Sequence, residues 1–339
     1  MRTQSHDSMD IIEQMELRMA ATESCISPDM TLVNFAVYWL RFRLSDIKEA
    51  TVSSYRGIVN NHIIPVFKER KLSGITPDDV QLFIDSLSEG IGLDKPLSSK
   101  TVRNIHGVLH KCLQTAFEMK LINENPAAHT VLPKLKRDDI IPMSNIQLQN
   151  FLSAIVGHPM EVFFKLAVFT GMRKAELMGL TRDCFNFEEG YIRVYRQLSY
   201  GKITKEYFFE SVKNGKPRVI YPAKNIMEMM KDYLDRTSKG KFVFNIPDYN
   251  DHYSNSYIRK AFQRIMEDLN MNEFRFHDLR HTYAVICIKA GVDLKTISEE
   301  MGHHSVAFTL DTYAFALSDM KLEGAKRIQS YMDSLNIRI

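Results

Sequence analysis

The sequence has few of the features that mark secreted, metal-binding or membrane proteins. Its 339 residues include four cysteines, scattered without a Cys-x-x-Cys pair, so neither a zinc site nor a disulfide framework is predicted. The N-terminus lacks the apolar core of a signal peptide. No apolar run approaches the length of a membrane span. We therefore expect a cytoplasmic protein with no membrane partner.

The sequence also lacks a large excess of charge of either sign. Lys and Arg number 44 and Asp and Glu 41, which leaves a net charge of +3. This balance permits a nucleic-acid partner but does not argue for one, because the distribution of charge matters more than its sum. The length of 339 residues predicts two domains, since one core of that size would be unusually large.

Apolar and turn-forming residues divide the chain into four parts. Residues 1–30 are an acidic segment that is too short to form a domain. Residues 31–125 carry four segments with apolar residues at the helical period, which predicts a small helical bundle. Residues 126–143 contain three prolines among charged residues and indicate a linker. Residues 144–339 are the second predicted domain.

Basic residues gather on the last helix of the bundle and on the linker. A cationic helix face beside a cationic strap is what contacts with a phosphate backbone require, so we predict that this surface binds DNA. The alternative is an ordinary solvated helix exterior. The predicted DNA-binding residues are Lys100, Arg103, Lys111, Lys134, Lys136 and Arg137.

The second domain is predicted to be helical around one β region. Strand-like patterns span 191–198, 206–211 and 218–221. Asn214-Gly215 between the last two predicts a tight hairpin with Lys213 at its lip. The fold is therefore predicted to be mainly α with a small β-sheet.

Histidines, arginines and a tyrosine recur at close spacings in the last quarter of the chain. Residues 276–282 read Phe-His-Asp-Leu-Arg-His-Thr, followed by Gly-His-His-Ser at 302–305 and Leu-Asp-Thr-Tyr at 310–313. A helix over the first motif would place His277 and Arg280 near its N-terminus, where an anion such as a phosphate is favoured. A tyrosine can act as a nucleophile.

Two upstream features complete the set. The sequence Thr-Gly-Met-Arg at 170–173 places Arg173 in the first turn of a helix, and Lys213 lies on the predicted hairpin. Two arginines, a lysine, two histidines and a tyrosine are suited to phosphoryl transfer without a metal. Arginine forks clamp phosphate oxygens and stabilise the charge that develops there. A lysine or histidine can donate a proton to the leaving oxygen.

In this order and spacing, the chain resembles the tyrosine recombinases, the phage-integrase-like family. The resemblance covers about residues 31 to 325, and the run from 97 to 126 is similar to the last helix of that family's core-binding domain. It implies a helical core-binding (SAM-like) domain and a mixed α/β catalytic domain with a C-terminal exchange helix, arranged as a C-shaped clamp on DNA. The matching motifs are Thr170–Leu177, Lys213, Phe276–Thr282, Met301–Ser305 and Leu310–Tyr313.

The resemblance also implies a mechanism. Tyr313 would attack a DNA phosphate and give a 3′-phosphotyrosine and a free 5′-hydroxyl, while Arg173 and Arg280 bind the scissile phosphate. Lys213 would protonate the departing 5′-oxygen. Because the ester conserves the bond energy, neither ATP nor a metal is implied, and no cofactor is expected. The nearby arginines are expected to favour the phenolate of Tyr313.

Further roles follow from the same resemblance. His277 and His303 would hydrogen-bond the phosphate or assist proton transfer, and Glu176 would orient the arginines. Lys216 lies on the same predicted hairpin, but we favour the lysine before the turn because the family's lysine has that position. His281 falls inside the motif and is expected to pack behind the site.

The implied partners are duplex DNA and further copies of the chain. Recombination exchanges four strands, which implies a homotetramer on two DNA sites, assembled from protomers that are monomeric in solution. The core sites would be inverted repeats, and DNA-bending or directionality proteins are possible accessories. Apolar residues at near-helical spacing between 320 and 332 predict a tail helix that docks on a neighbouring protomer.

The expected function is integration and excision of a mobile element, a phage or a conjugative transposon. The alternative within the family is Xer-like resolution of chromosome dimers. A non-catalytic helix-turn-helix protein would leave Arg173 and Lys213 unexplained. A metal hydrolase built on the histidines lacks a carboxylate set with ligand spacing. A type IB topoisomerase shares the chemistry, but the small helical domain and the chain length favour a recombinase.

Overall fold

The chain forms two compact units. One comprises Met1–Asp138 with Gly201–Glu206, and the other comprises Asp139–Tyr200 with Tyr207–Ile339. The predicted division at residues 30, 125 and 143 stays a prediction. The computed structural model describes residue 12 and residues 26–44, 47–135, 141–201, 205–212, 215–237, 240–245, 252–303, 305–318 and 321–335.

The first unit is helical, which confirms the predicted bundle. Side-chain hydroxyls of Thr31, Thr76 and Ser98 cap three of its helices by accepting from backbone N–H groups three residues later. The apolar faces meet in a core around Trp39, whose ring stacks on Tyr55 at a centroid distance of 5.8 Å. The helices are α1 (Leu32–Phe42), α2 (Glu49–Ile58), a π-helix (Val59–Ile63), α3 (Ile64–Phe67), a 3-10 helix (Leu72–Gly74), α4 (Pro77–Glu89) and α5 (Ser99–Glu118).

The chain that follows α5 packs against the same unit. Arg103 Nε donates to the Pro133 carbonyl at 2.8 Å, and His106 Nε2 lies 3.0 Å from the Ala127 carbonyl oxygen. Ala127 itself is fully buried. The first part of the predicted linker is therefore held on the bundle by contacts that its composition does not reveal.

The second unit surrounds two small sheets with helices. None of the helices in the described part of the chain combines the length and the apolar character that a bilayer span requires. The helices of this unit are α6 (Asn145–Ala154), α7 (Glu161–Thr170), α8 (Lys174–Met178), a 3-10 helix (Arg182–Cys184), α9 (Lys224–Arg236), α10 (Asn255–Asp268), α11 (Asp278–Lys289), α12 (Leu294–Met301), α13 (Val306–Ser318) and α14 (Lys321–Ser334).

The sheets differ from the predicted hairpin. The strand expected at 191–198 is interrupted at Tyr195, so that β2 and β3 belong to different sheets. Among the described residues, β5 pairs with β2 rather than with β4, so the hairpin predicted across Asn214-Gly215 is wrong. The strands are β1 (Phe185–Asn186), β2 (Tyr191–Val194), β3 (Arg196–Tyr200), β4 (Tyr207–Ser211) and β5 (Arg218–Ile220), all paired antiparallel in the orders β1-β2-β5 and β3-β4.

Helices α7 and α11 form the centre of the second unit. Phe163 and Phe164 of α7 are buried, and so are Leu279 and Thr282 of α11. The N–H of Met143 donates to Thr282 Oγ1 at 3.0 Å, which ties the start of the unit to α11. The motif around residue 280 therefore lies on a helix that is packed into the core.

The C-terminal helices include the predicted tail helix, α14. Two of its apolar side chains are more than half exposed, those of Ile328 and Tyr331. Whether this helix docks on a neighbouring protomer stays a prediction. Helix α13 is irregular at Tyr313, whose φ of −119° and ψ of 16° depart from helical values.

Candidate active site

The break between α7 and α8 positions the first arginine. Gly171 ends α7 in the left-handed region at φ 58°, and a Cβ there would lie 2.3 Å from Cδ1 of Tyr283. Glycine therefore meets both the backbone and the space requirement of this turn. Two residues later, Arg173 is the N-cap of α8, and its backbone N–H donates to Glu176 Oε2 at 2.8 Å.

Glu176 is a buried carboxylate that binds two guanidinium groups. Its side chain is 0% exposed and accepts from Arg173 Nη1 at 2.9 Å. Arg218 donates to both of its oxygens, at 2.9 and 2.7 Å. Burial by itself would raise the pKa of Glu176, but the hydrogen bond and charge of Arg218, together with Arg173, lower it to about 2. Glu176 is therefore ionised at neutral pH and aligns both arginines.

Arg218 was missed by the sequence analysis. It lies at the start of β5, its side chain is only 9% exposed, and its Nε donates to the Glu300 carbonyl at 2.5 Å. The signal for Arg218 in the sequence was indirect. Glu176 was expected to orient the arginines, and a buried carboxylate needs a cationic partner whose geometry matches its two oxygens. Arg218 fixes the start of β5, which follows Lys216, to both Glu176 and the end of α12.

The end of α12 holds a third guanidinium group, that of Arg280, and also binds Arg173. Arg280 is 3% exposed and donates to the Gly171 carbonyl at 2.6 Å and to the Met301 carbonyl. Arg173 Nη2 donates to the Gly302 carbonyl at 2.8 Å. The carbonyl end of a helix carries partial negative charge, so it stabilises both arginines. Arg173 and Arg280, the two predicted phosphate-binding arginines, thus bind carbonyls of the same turn. Gly302, which accepts from Arg173, lies 129 residues away from it along the chain.

The guanidinium group of Arg280 is charged although it is buried. Burial, and then the positive charge of Arg173, lower its pKa to about 9. The group still holds its proton at neutral pH, and an incoming anion would relieve the repulsion between the two cations.

A cavity of about 590 Å³ opens beside these groups. Arg173, Arg218 and His303 line it, and so does Lys216. Lys213, the predicted proton donor, lies outside the described residues. A cluster of cations around an open cavity of this size can bind a phosphate group.

His303 and Tyr313 come together on the next elements. The two rings lie 6.5 Å apart between centroids and are nearly parallel, at 15°. His303 Nδ1 lies 2.7 Å from Oγ1 of Thr309, a contact that orients the imidazole. The structure therefore brings the predicted nucleophile close to one predicted histidine.

The environment of Tyr313 differs from the expectation. Its side chain is 0% exposed, and burial raises the pKa of the phenol although Arg280 opposes this. Its hydroxyl oxygen lies 2.8 Å from Nδ1 of His281. Arg280 thus acts on the phenol in the expected direction, but desolvation outweighs its charge in this structure. His281 is likewise a direct partner of the tyrosine and does not merely pack behind the site.

His281 is neutral at physiological pH. Burial, and then the neighbouring His277, lower its pKa to about 4. The two imidazole rings meet edge to face at 5.0 Å. A neutral imidazole can accept the phenol proton of Tyr313, whereas a charged one cannot.

His277 lies apart from the cavity that holds Arg173 and His303. It precedes α11, is exposed, and lines a different cavity with Lys174 and Arg275. The structure thus joins Arg173, Arg280, His303 and Tyr313 around one turn, and it links His277 to this group through the ring of His281.

Four of the six predicted DNA-binding residues lie in the described part of the first unit. Three of these side chains are exposed, while Arg103 is partly buried and uses its Nε on the Pro133 carbonyl. The exposed residues are Lys100, Lys111 and Lys134, and the two residues outside the described part of the chain are Lys136 and Arg137.

Comparison with protein families gives the decisive result. The model of the phage integrase family matches residues 143–318, which is more than half of the chain. The chain belongs to the phage integrase family. The model of the SAM-like N-terminal domain of phage integrases matches residues 31–88. As a member of this family of tyrosine recombinases, the chain is a DNA strand transferase.

Individual relatives agree with this membership. A XerC-like tyrosine recombinase of Caldanaerobacter subterraneus subsp. tengcongensis is 26% identical over 333 residues, covering 88% of this chain and 83% of the relative. The ICEBs1 integrase of Bacillus subtilis is 24% identical over 300 residues, covering 85% of this chain and 79% of the relative.

Solved structures confirm the predicted fold class. The Tn1549 transposon integrase in complex with transposon right end DNA has a TM-score of 0.75 at 20% identity and covers 88% of this chain and 100% of that one. The lambda integrase tetramer bound to a Holliday junction has a TM-score of 0.62 at 17% identity and covers 90% of this chain and 83% of that one.

Proposed function

We propose that this chain is a site-specific recombinase that cuts and rejoins duplex DNA through a 3′-phosphotyrosine at Tyr313. The observation that carries the proposal is the turn at residues 301–302. Its carbonyls hold Arg173 and Arg280 beside an open cavity, while His303 next to it contacts the ring of Tyr313. This arrangement supports phosphate binding and nucleophilic attack within one unit.

In the cleavage step, the phenol oxygen of Tyr313 bonds to phosphorus and the bond from phosphorus to the 5′-oxygen breaks. The phenol proton passes to a base. His281 Nδ1 lies 2.8 Å from the hydroxyl in this structure, but a pKa lowered to about 4 makes it a weak base. Because the hydroxyl is buried in this structure, attack requires the segment around Tyr313, which already departs from helical geometry, to move.

The remaining roles are assigned as follows. Arg173 and Arg280 bind the non-bridging oxygens and balance the charge that develops on them. Lys213 protonates the departing 5′-oxygen, with Lys216 of the cavity wall as the alternative donor. His303 hydrogen-bonds the phosphate.

Two assignments concern residues next to this core. Glu176 orients the arginine forks through its two carboxylate oxygens. His277 hydrogen-bonds the phosphate or assists proton transfer, and its ring meets that of His281 at 5.0 Å.

We propose integration and excision of a mobile element as the biological role. The similarity to the ICEBs1 integrase supports this role, and the similarity to the XerC-like recombinase keeps chromosome-dimer resolution as the second candidate. The DNA that flanks the gene separates them, because an integrase gene lies beside element boundaries with inverted core repeats.

The proposed assembly is a homotetramer on two DNA sites, formed from monomers. Exchange of four strands needs four nucleophiles, and the lambda integrase of similar fold is a tetramer on its junction. The core-binding domain at 31–125, the linker at 126–143, the catalytic domain at 144–339 and the clamp on DNA remain parts of this proposal.

The test of the function is a suicide duplex with a nick beside the cleavage site, incubated without metal or ATP. The wild-type protein should give a covalent band on a denaturing gel, and Tyr313→Phe should bind DNA but give none. Tyr233→Phe, on α9, is the matched control and should keep the adduct. An adduct from the Tyr313→Phe variant would refute the assignment.

A further inference from the structure

A second cavity lies in the same unit as the catalytic one. It has a volume of about 620 Å³ and lies between α10, the start of α8 and the segment before α11. Its wall carries the basic side chains of Lys174, Arg259 and Arg275, with His277 beside them and Glu267 as the one acid. Its surface is therefore predominantly cationic.

Two pairs of residues that are close in sequence link this cavity to the catalytic one. Lys174 directly follows Arg173, so consecutive residues at the start of α8 line the two cavities. His277 precedes by three residues Arg280, which binds the turn of the catalytic cavity. The two cavities are therefore adjacent at the start of α8.

Lys174 and Arg259 form a pair of like charges. Lys174 is partly buried, and burial and then the charge of Arg259 lower its pKa. Neither side chain has a hydrogen-bond acceptor or an acidic partner among the residues that the structure describes. Two cations held together without an anion are costly, and a bound anion would remove that cost.

The other charged groups around the pair do not supply this anion. Arg275 is neutralised in part by Asp278, at 3.6 Å. Glu267 lies two helical turns after Arg259 on α10, about 12 Å along the helix axis at ~1.5 Å per residue. The positive charge that no acidic side chain balances thus lies at the end of the cavity that Lys174 and Arg259 form.

We propose that this cavity binds a second, non-scissile backbone phosphate of the DNA, held by Lys174 and Arg259. The inference rests on the proposed function, because it is the substrate strand in the catalytic cavity that brings the second phosphate here. Its role is to set the register of the strand, so that the correct phosphate faces Tyr313.

The test uses duplexes that each carry one methylphosphonate, an uncharged replacement for a phosphate, at successive positions around the cleavage site. Binding is measured by fluorescence anisotropy for the wild type, for the double variant Lys174→Gln/Arg259→Gln and for Lys260→Gln. Lys260 lies on the same helix but outside the cavity, so its removal changes the net charge alone.

The wild type should lose about tenfold in affinity at one non-scissile position, a loss that corresponds to about 1.4 kcal/mol. This position-specific loss should vanish in the double variant and persist in Lys260→Gln. The slope of log K against log salt should fall by about 0.9 in the double variant for each phosphate contact removed.

A double variant that keeps the position-specific loss of the wild type would overturn the inference. If the double variant is poorly folded, Arg259→Gln alone serves, since Arg259 is exposed. Formation of the covalent adduct by the wild type tests the proposed function separately, so failure of one does not imply failure of the other.

Discussion

Glu176→Gln tests whether the buried carboxylate organises the site. The substitution preserves shape but removes the charge, and its amide would point N–H groups at one of the two guanidinium groups. The pKa of the carboxyl falls from 4.5 to about 2 on folding, and the side chain is fully buried. At ~1.36 kcal/mol per unit, this shift corresponds to about 3 kcal/mol of stability. Removing one member of a buried ion pair also costs about 3–5 kcal/mol.

The pH dependence has a definite sign. Because the pKa is lower in the folded than in the unfolded state, the stabilisation by Glu176 is complete above about pH 4.5. It is lost as the pH falls from about 4.5 towards 2. The stability difference between the wild type and Glu176→Gln should therefore shrink across this window.

The assay is urea unfolding of both proteins at pH 7 and at several values down to pH 3. Glu228→Gln is the control, because Glu228 is 63% exposed and pairs with Lys224 one helical turn away. Such a pair contributes only roughly 0.3–0.5 kcal/mol. A loss below 1 kcal/mol for Glu176→Gln at pH 7, or a loss that does not vary with pH, would contradict the reasoning.

Three further changes have defined outcomes. Gly171→Ala should lower the unfolding midpoint, since φ is 58° and the new Cβ would lie 2.3 Å from Tyr283. Strain at such positions costs about 1–3 kcal/mol, and an unchanged midpoint would contradict this conformation of the turn. Lys213→Ala should slow cleavage of ordinary DNA but matter far less when the leaving 5′-oxygen is replaced by sulfur, because a thiolate leaves without protonation; equal losses would reassign the proton donor, with Lys216 next to be tested. Deletion of residues 321–339 should leave single-site binding intact but impair synapsis and strand exchange in gel-shift assays, and full recombination by the truncated chain would exclude a docking role for α14.

Local sequence signals were sufficient for most helices. At the start of α4, Thr76 and Asp79 form a complete capping box and Pro77 is the first helical residue. The motif at 276–282 predicted a helix from 278, and α11 begins at Asp278. These signals work because helix hydrogen bonds and caps join residues three or four positions apart.

Strand pairing was not predictable in the same way. The pattern at 191–198 indicated one strand, whereas Tyr195 separates two strands that pair with different partners. The Asn214-Gly215 signal suggested a hairpin, but β5 aligns Ile220 with Ile192 of β2. Register in a sheet depends on which faces the whole unit buries, and no local pattern contains that information.

The sequence by itself determined the chemistry available to this protein: which arginines, histidines and tyrosine recur at which spacings, and hence the family. Only the tertiary structure decided the partners of these groups. Arg218 binds Glu176 across 42 residues, and Arg173 binds the Gly302 carbonyl across 129. His281 became the partner of the Tyr313 hydroxyl in the same way. The physical reason is that buried charges and polar groups must be paired by whatever lies nearest in space, and distance in space is set by packing of the whole unit.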